Sequence, residues 1–230
     1  NSIILATGHS ARDVFHFLKN NNVSMERKPF AMGVRIEHLQ SDINKSLYKD
    51  MWNNEKLGAA SYKLAVHLPE NRSVYTFCMC PGGYVVNASS EENSITVNGM
   101  SNNARDGENA NSALLVNVMP TDLKGDDLLA GCYLQQEIEH NAYRIGNGKV
   151  PITTVGNFLF DDENKIGKVK PTVKPNTVFA NMEDIFPSFI TDALKSALPM
   201  LDMKLHGFAD SEAILTAPET RSSSPVRIVR

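Results

Sequence analysis

Short β-rich runs in the middle of the chain most constrain what it can fold into. Each run is rich in Val, Ile, Thr, Tyr or Phe, and residues typical of turns, such as Pro, Gly and Asn, separate successive runs. The runs cover residues 30–37, 61–68, 74–79, 84–88, 95–98 and 113–118. Several short strands joined by turns predict a largely antiparallel sheet or a small β-barrel.

Two longer segments have the 3.6-residue periodicity of amphipathic helices. The first covers residues 128–145, and the second covers residues 187–203, where Pro199 is expected to kink or end the helix. Near the start, the apolar run 3–6 predicts a buried strand and residues 11–19 predict a shorter helix. The predicted fold class is therefore α+β, a mostly antiparallel sheet or small β-barrel with two main helices packed alongside.

Composition excludes several classes of protein. Apolar residues make up 42% and charged residues 21% of the chain, which argues against wholesale disorder. The net charge of -3 argues against nucleic-acid binding by neutralisation of phosphates. Three cysteines do not form a disulfide framework, and no apolar run approaches the roughly 20 residues that span a bilayer. We expect a cytoplasmic protein with no nucleic-acid partner and no membrane partner.

The stretch from Val74 to Ser89 places Pro81, Gly82 and Gly83 between two β-rich runs. We expect two strands that meet at a tight bend, where glycine leaves the backbone open to close approach by a flat ligand. Cys78 and Cys80 precede this bend and are expected on the same side of a strand. They are weak candidates for catalysis, because a buried hairpin in which cysteines serve as small hydrophobic residues is the commoner arrangement.

Common motifs for a self-contained nucleotide or metal site are missing from the sequence. It contains no G-x-G-x-x-G, no G-x-x-x-x-G-K-[ST], no H-E-x-x-H and no C-x-x-C. Glu137, Glu139 and His140 lie on the first predicted long helix, where a solvated surface is favoured over a metal cluster. We therefore predict no metal site.

Two polar segments carry further candidate residues. The predicted loop 100–112 contains Arg105, Asp106 and Asn109, and a binding role and a purely structural role are weighted equally there. The corner at 218–227 groups three serines with Arg221 and Arg227. Hydroxyl donors beside positive charge would suit an anionic group.

Five segments, in order along nearly the whole chain, closely resemble one bacterial family. They are I-L-A-T-G-H-S-A-R-D (4–13), V-Y-T-F-C-M-C-P-G-G-Y-V-V (74–86), N-G-M-S-N-N-A-R-D-G-E-N-A-N-S-A-L-L-V (98–116), G-F-A-D (207–210) and E-T-R-S-S-S-P-V-R-I (219–228). The family is that of the uncharacterised FAD-dependent dehydrogenases, also labelled NAD(FAD)-utilising dehydrogenases. It is distantly similar to the two-dinucleotide-binding-domain flavoproteins.

The resemblance implies that the chain is part of a longer flavoenzyme. Residues 31–212 would form an inserted substrate or cap domain, residues 1–30 a remnant of a split Rossmann flavin domain, and residues 213–230 the return strands toward it. The full-length protein would bind FAD and transfer a hydride through the flavin, with NAD(P) as a candidate electron partner. Its partners would be the FAD-binding domain of the same polypeptide and a polar small-molecule substrate, and the isolated chain would be inactive.

The resemblance also suggests roles for individual residues. The expected cofactor-binding residues are Gly8, Pro81, Gly82, Gly83, Ser224 and Arg227. The expected substrate-binding residues are Arg105, Asp106, Asn109, Glu219 and Arg221. The alternative is a non-catalytic ligand-binding or interaction module with no redox part.

Overall fold

The computed structural model describes residues 4–229, which form ten strands and five α-helices within that range. The strands are β1 (Met25–Arg27), β2 (Phe30–Leu39), β3 (Ala65–His67), β4 (Ser73–Asn87), β5 (Val97–Ser101), β6 (Asn109–Val118), β7 (Val150–Thr154), β8 (Thr177–Phe179), β9 (Ile214–Glu219) and β10 (Val226–Ile228). The helices are α1 (Arg12–Asn20), α2 (Gln40–Tyr48), α3 (Ala130–Gly146), α4 (Val155–Phe160) and α5 (Ser188–Lys204).

Eight of these strands form one open sheet in the order β3-β4-β6-β2-β9-β7-β8, with β5 paired to β4. All pairings in it are antiparallel except that of β7 with β8. Strands β1 and β10 form a separate two-stranded sheet. The α+β prediction is confirmed. The alternative of a closed barrel is wrong, because β3 and β8 lie at opposite edges and do not pair.

Strand β2 lies at the centre of the sheet, and its two faces differ. On one face, Met32, Val34 and Ile36 pack into the main apolar core together with the buried stripe of α5. The sequence predicted that Pro199 would kink or end this helix, but α5 continues past it to Lys204. Leu198 and Leu201, on either side of the proline in sequence, are both buried in that core. Packing of an apolar stripe therefore outweighs the lost backbone hydrogen bond.

The other face of β2 carries two charged side chains in the interior, Arg35 and Glu37. Strand β5 covers Arg35 so closely that a Cβ on Gly99 would lie 2.3 Å from the Arg35 Nη2 atom. Thr172, in the segment before β8, donates to Glu37 from both its backbone N–H and its hydroxyl. Arg35 and Glu37 are two residues apart in β2 and so lie on the same side of the strand, and this side is buried as well.

The predicted hairpin at Val74–Ser89 is wrong. Residues 74–87 of this stretch belong to the single 15-residue strand β4, whose register with β6 shifts twice, between Phe77 and Cys80 and between Cys80 and Gly83. At these bulges, Cys78 has φ +47° and Gly82 has φ +50°. The extra residues are absorbed as bulges because both halves of the stretch remain hydrogen-bonded to neighbouring strands.

Near the start of the chain, the predicted strand 3–6 does not form over residues 4–6, and Ile4 is 91% exposed. Residue 3 lies outside the described range. Strand β9 lies between β2 and β7, so the last part of the chain contributes to the centre of the main sheet. The division at 1–30, 31–212 and 213–230 stays a prediction.

None of the helices within residues 4–229 is long and apolar enough to span a bilayer. No cluster of three or more His, Cys, Asp or Glu side chains in that range has the arrangement of a metal site.

Candidate functional site

Two segments from opposite ends of the chain meet at one side of the molecule. His9 Nε2 lies 2.8 Å from the carbonyl oxygen of Arg221, 212 residues away in sequence. Ser222 donates to the Ala31 carbonyl oxygen at 2.8 Å, and Ser223 accepts from the Ala31 N–H at 3.3 Å, which fixes the second segment to the start of β2. We call residues 8–12 and 219–225 together the junction.

A buried carboxylate on α3 holds the junction together. The Glu139 side chain is buried and accepts hydrogen bonds from Arg12 at 2.8 and 2.9 Å and from Arg221 at 2.8 and 3.1 Å. The Thr220 hydroxyl donates to the same carboxylate. Burial by itself raises the pKa of Glu139, but the hydrogen bonds from Arg221 and Arg12 outweigh it and lower this pKa to about 2. We call this group the Glu139 cluster.

A second buried charge cluster lies on the polar face of β2. Arg35 Nη1 pairs with Glu219 Oε2 at 2.7 Å, and Arg35 Nε donates to Asn111 Oδ1 at 2.7 Å. The remaining donors of the guanidinium reach Asn98 Oδ1 at 3.3 Å and the carbonyl oxygen of Cys78. Burial raises the pKa of Glu219, and the attraction of Arg35 opposes that rise. We call this group the Arg35 cluster.

The consecutive residues Glu219, Thr220 and Arg221 join the two clusters. Glu219 belongs to the Arg35 cluster and Arg221 to the Glu139 cluster. Between them, the Thr220 hydroxyl lies 3.0 Å from that of Thr96, and the Thr220 carbonyl accepts from Gln135 Nε2 at 2.7 Å. Two of the charges that we predicted to bind substrate, Glu219 and Arg221, are therefore compensated by charges of the same chain, and they position the junction.

The predicted open approach to Pro81, Gly82 and Gly83 is wrong. All three are buried, and Gly82 donates its N–H to Gln40 Oε1 at 2.7 Å. A Cβ on Gly82 would lie 1.8 Å from the Arg105 carbonyl oxygen, because the loop before β6 packs directly on it. Glycine is required here for close approach, as predicted, but the approaching group is the protein's own backbone. A cofactor-binding role of the three residues stays a prediction.

The two cysteines do not lie on the same side of the strand. The bulge in β4 leaves Cys78 exposed and buries Cys80, whose Sγ lies 3.5 Å from Arg35 Nη2 and donates to the Cys78 carbonyl at 3.3 Å. Burial raises the pKa of Cys80. Neither cysteine forms a disulfide. Cys80 is thus a buried thiol with a structural contact, and only Cys78 is accessible to reagents or ligands.

The other predicted site residues lie in three different parts of the fold. Gly8 and Ser224 lie in the junction, while Arg227 is exposed on β10 and pairs with Glu26. Arg105 and Asp106 are exposed in the loop before β6. Asn109 is buried and donates to Glu37 Oε2 at 3.1 Å and to the Lys170 carbonyl at 2.9 Å. These last three lie toward the far end of β2, so the structure does not bring them to the junction.

A family model, described as "FAD-dependent protein, C-terminal domain-like", matches residues 29–222. The chain belongs to this family. It is therefore a domain of the kind found in FAD-dependent proteins, with an open α+β sheet at its centre. The match includes every residue of the two charge clusters except Arg12, and its last residue, 222, lies in the junction.

A relative from Clostridium beijerinckii, described as an uncharacterized protein, supports the same assignment. It is 45% identical over 233 residues, which cover 100% of this chain and 44% of the relative. The chain thus spans less than half the length of the curated relative that it matches. The family description names FAD and no further activity, so hydride transfer, NAD(P) and a cytoplasmic location stay predictions.

Sequence reasoning missed Arg12, Arg35 and Glu139 as site residues. The expectation that Glu139 is solvated is wrong, because it lies one turn after Gln135 and next to Ile138 on the buried face of α3. This helical spacing was a usable signal. Its partners could not be identified, since they lie 127 and 82 residues away in sequence.

Proposed function

We propose that the chain is the substrate or cap domain of an FAD-dependent oxidoreductase, and that the junction faces the flavin-binding part of the same polypeptide. The observation that carries this proposal is the hydrogen bond between His9 and Arg221. It joins two of the segments in which the sequence resembles flavoenzymes. The segment that contains His9 precedes the family match, and the segment that contains Arg221 extends past the end of the match at residue 222. At these limits a neighbouring part of a longer chain would continue.

The residues at the junction fit contact with a flavin. Gly8 is exposed, and no atom lies within 4 Å of the place where a Cβ would stand. Ser222, Ser223 and Ser224 are partly exposed and carry hydroxyl groups. Arg227, just outside the junction on β10, is exposed and pairs with Glu26; because a surface ion pair is weak, its guanidinium can turn to offset the negative charge of a reduced flavin or of the FAD phosphates.

The flavin, when bound, would supply hydride transfer, and the chain's own residues would bind and orient. Arg12 and Arg221 cannot act as free cations, since Glu139 and Glu91 accept their hydrogen bonds. Their role in this proposal is to hold the Gly8–Ser10 turn and the serines in fixed positions. Fixed donors are useful next to a cofactor because no reorganisation is needed when its charge changes.

Flavin retention tests the proposal. We would purify the full-length protein and the 230-residue chain, incubate each with FAD, and pass each through a desalting column. The full-length protein is expected to retain the visible flavin absorption, which dithionite should bleach, and the chain alone to emerge colourless but folded by circular dichroism. A full-length protein that stays colourless after incubation with FAD would contradict the proposal and favour a non-catalytic binding module.

A separate experiment addresses the cysteines. We propose that neither Cys78 nor Cys80 transfers electrons, because a disulfide across one residue strains the short backbone between them, and that only the buried Cys80 has a packing role. Replacing both with Ser in the full-length protein is expected to leave the rate of flavin reduction within about twofold of wild type. Loss of flavin reduction with retained flavin binding would instead assign the thiols a redox role.

A further inference from the structure

An apolar cavity lies between α3 and the start of α5, and none of the junction residues lines it. Its volume is about 530 Å³, which is within the range for small-molecule sites. The α3 residues that line it recur at the spacing of one helix face and are Ala130, Tyr133, Leu134, Glu137, Ile138 and Asn141. Glu137 and Glu139 are two residues apart, or about 200° around the helix, so Glu137 points away from the Glu139 cluster.

The floor of the cavity is apolar. Leu134 and Ile138 of α3 line it together with Ile185, Phe186 and Phe189. Ile138, Ile185 and Phe186 are buried in the main apolar core, and the other two are partly buried and pack against that core. The apolar part of a ligand placed here would be removed from water, which favours binding.

The rim of the cavity carries four carboxylates, and two of them are unpaired. Arg72 Nη1 lies 2.8 Å from Asp122 Oδ2, and Lys19 Nζ lies 2.7 Å from Asp127 Oδ2. The other two carboxylates are those of Glu137 on α3 and Asp184, just before α5. Both residues are exposed, and within residues 4–229 neither forms an ion pair. Their side chains are therefore available to a ligand.

The charges around the rim leave an excess of negative charge. The carboxylates next to the lining residues in sequence are paired as well, Asp126 with Arg27 and Glu183 with Lys195. Lys124 is the one lysine of the lining, and within residues 4–229 it forms no ion pair. Two unpaired carboxylates therefore face one unpaired lysine. A cation at the rim would complete the balance.

We propose that this cavity binds a small molecule that has an apolar body and one ammonium group. The apolar body would pack against the floor. The ammonium group would lie at the rim, where Glu137 and Asp184 can accept its hydrogen bonds. The site is separate from the junction and depends on none of the flavin chemistry proposed above.

Matched amines and alcohols test the proposal on the wild-type full-length protein. Calorimetry at pH 8, where an ordinary histidine is neutral and adds no charge, would measure binding of hexylamine, 2-phenylethylamine and tryptamine. Each would be compared with the alcohol of the same carbon skeleton. At least one amine is expected to bind, about fivefold or more tightly than its alcohol, because only the amine pairs with the carboxylates. Binding by none of the three amines would contradict the proposal.

Single substitutions locate the bound amine. Glu137→Gln and Asp184→Asn are each expected to weaken amine binding about threefold and to leave alcohol binding unchanged, whereas Lys124→Gln should strengthen amine binding. Glu55→Gln is the matched control, since Glu55 is also exposed but does not line the cavity.

Two results would overturn the proposal even if an amine binds. Equal affinity for an amine and its alcohol would show that the cavity recognises apolar surface alone. An equal effect of Glu55→Gln and Glu137→Gln would show that the amine responds only to the net charge of the protein.

Discussion

At the scale of single residues, Glu139 is the clearest case of a buried charge kept by its partners. Two arginines donate to it, and Glu91 is the only other carboxylate that pairs with them in residues 4–229. Glu139→Gln is expected to lower the free energy of unfolding by about 3 kcal/mol, because it leaves buried positive charge uncompensated. Urea denaturation would measure this loss. Glu137→Gln, on the exposed side of the same helix, should change the value by less than about 0.5 kcal/mol.

The same carboxylate should give stability a pH dependence. The pKa of Glu139 in the folded protein, about 2, lies below the ordinary 4.5, so its contribution is fully present above pH 4.5 and lost as the pH falls toward 2. That contribution is about 3 kcal/mol. Denaturation curves of wild type and Glu139→Gln should therefore converge as the pH is lowered from 5 to 2. A difference that stays constant over this interval would show that Glu139 is not ionised in the folded protein.

Thiol accessibility provides a residue-level test of the bulged strand. The sequence has three cysteines, of which Cys78 is exposed while Cys80 and Cys132 are buried. Burial raises the pKa of Cys132 to about 11, which further slows its reaction. Native protein should therefore release one equivalent of thionitrobenzoate rapidly from Ellman's reagent, and Cys78→Ser should abolish that phase. Rapid reaction of two thiols would mean that β4 runs regularly, with Cys78 and Cys80 on one side.

At the scale of elements, β5 can pack against the Arg35 side chain only because residue 99 is glycine. A Cβ there would stand 2.3 Å from both Arg35 Nη2 and Asn111 Oδ1. Gly99→Ala should separate β5 from the sheet and destabilise the protein by about 2 kcal/mol, measured by thermal or urea unfolding. Gly146→Ala is the matched control, since its nearest contact would be an ordinary 3.4 Å and alanine favours the helix.

The sequence correctly predicted the elements in which apolar residues recur with the period of a strand or of a helix without interruption. Strand β2 and helices α3 and α5 lie within a few residues of their predicted bounds, because their apolar positions match a buried face. The hairpin predicted around Pro81 is wrong, because a Pro-Gly-Gly sequence is compatible with a bulge as well as with a turn. Only the ladder with β6, about 30 residues away, decides between them.

At the scale of the whole molecule, the sequence indicated which segments matter but not how they meet. Gly8, Glu219, Arg221 and Ser224 were predicted as site residues, and the fold brings them together at the junction. Arg105 and Asp106 were predicted for the same site and lie elsewhere. Such contacts depend on how β9 inserts between β2 and β7, which no local pattern encodes.

The most direct test of the central claim is a structure of the full-length protein with FAD bound. We predict that FAD contacts residues 8–10 or 222–224 within hydrogen-bonding distance, while Arg12 and Arg221 keep their bonds to Glu139. FAD bound without contact to the junction, for instance against an uncovered Pro81–Gly83 segment, would contradict the proposal.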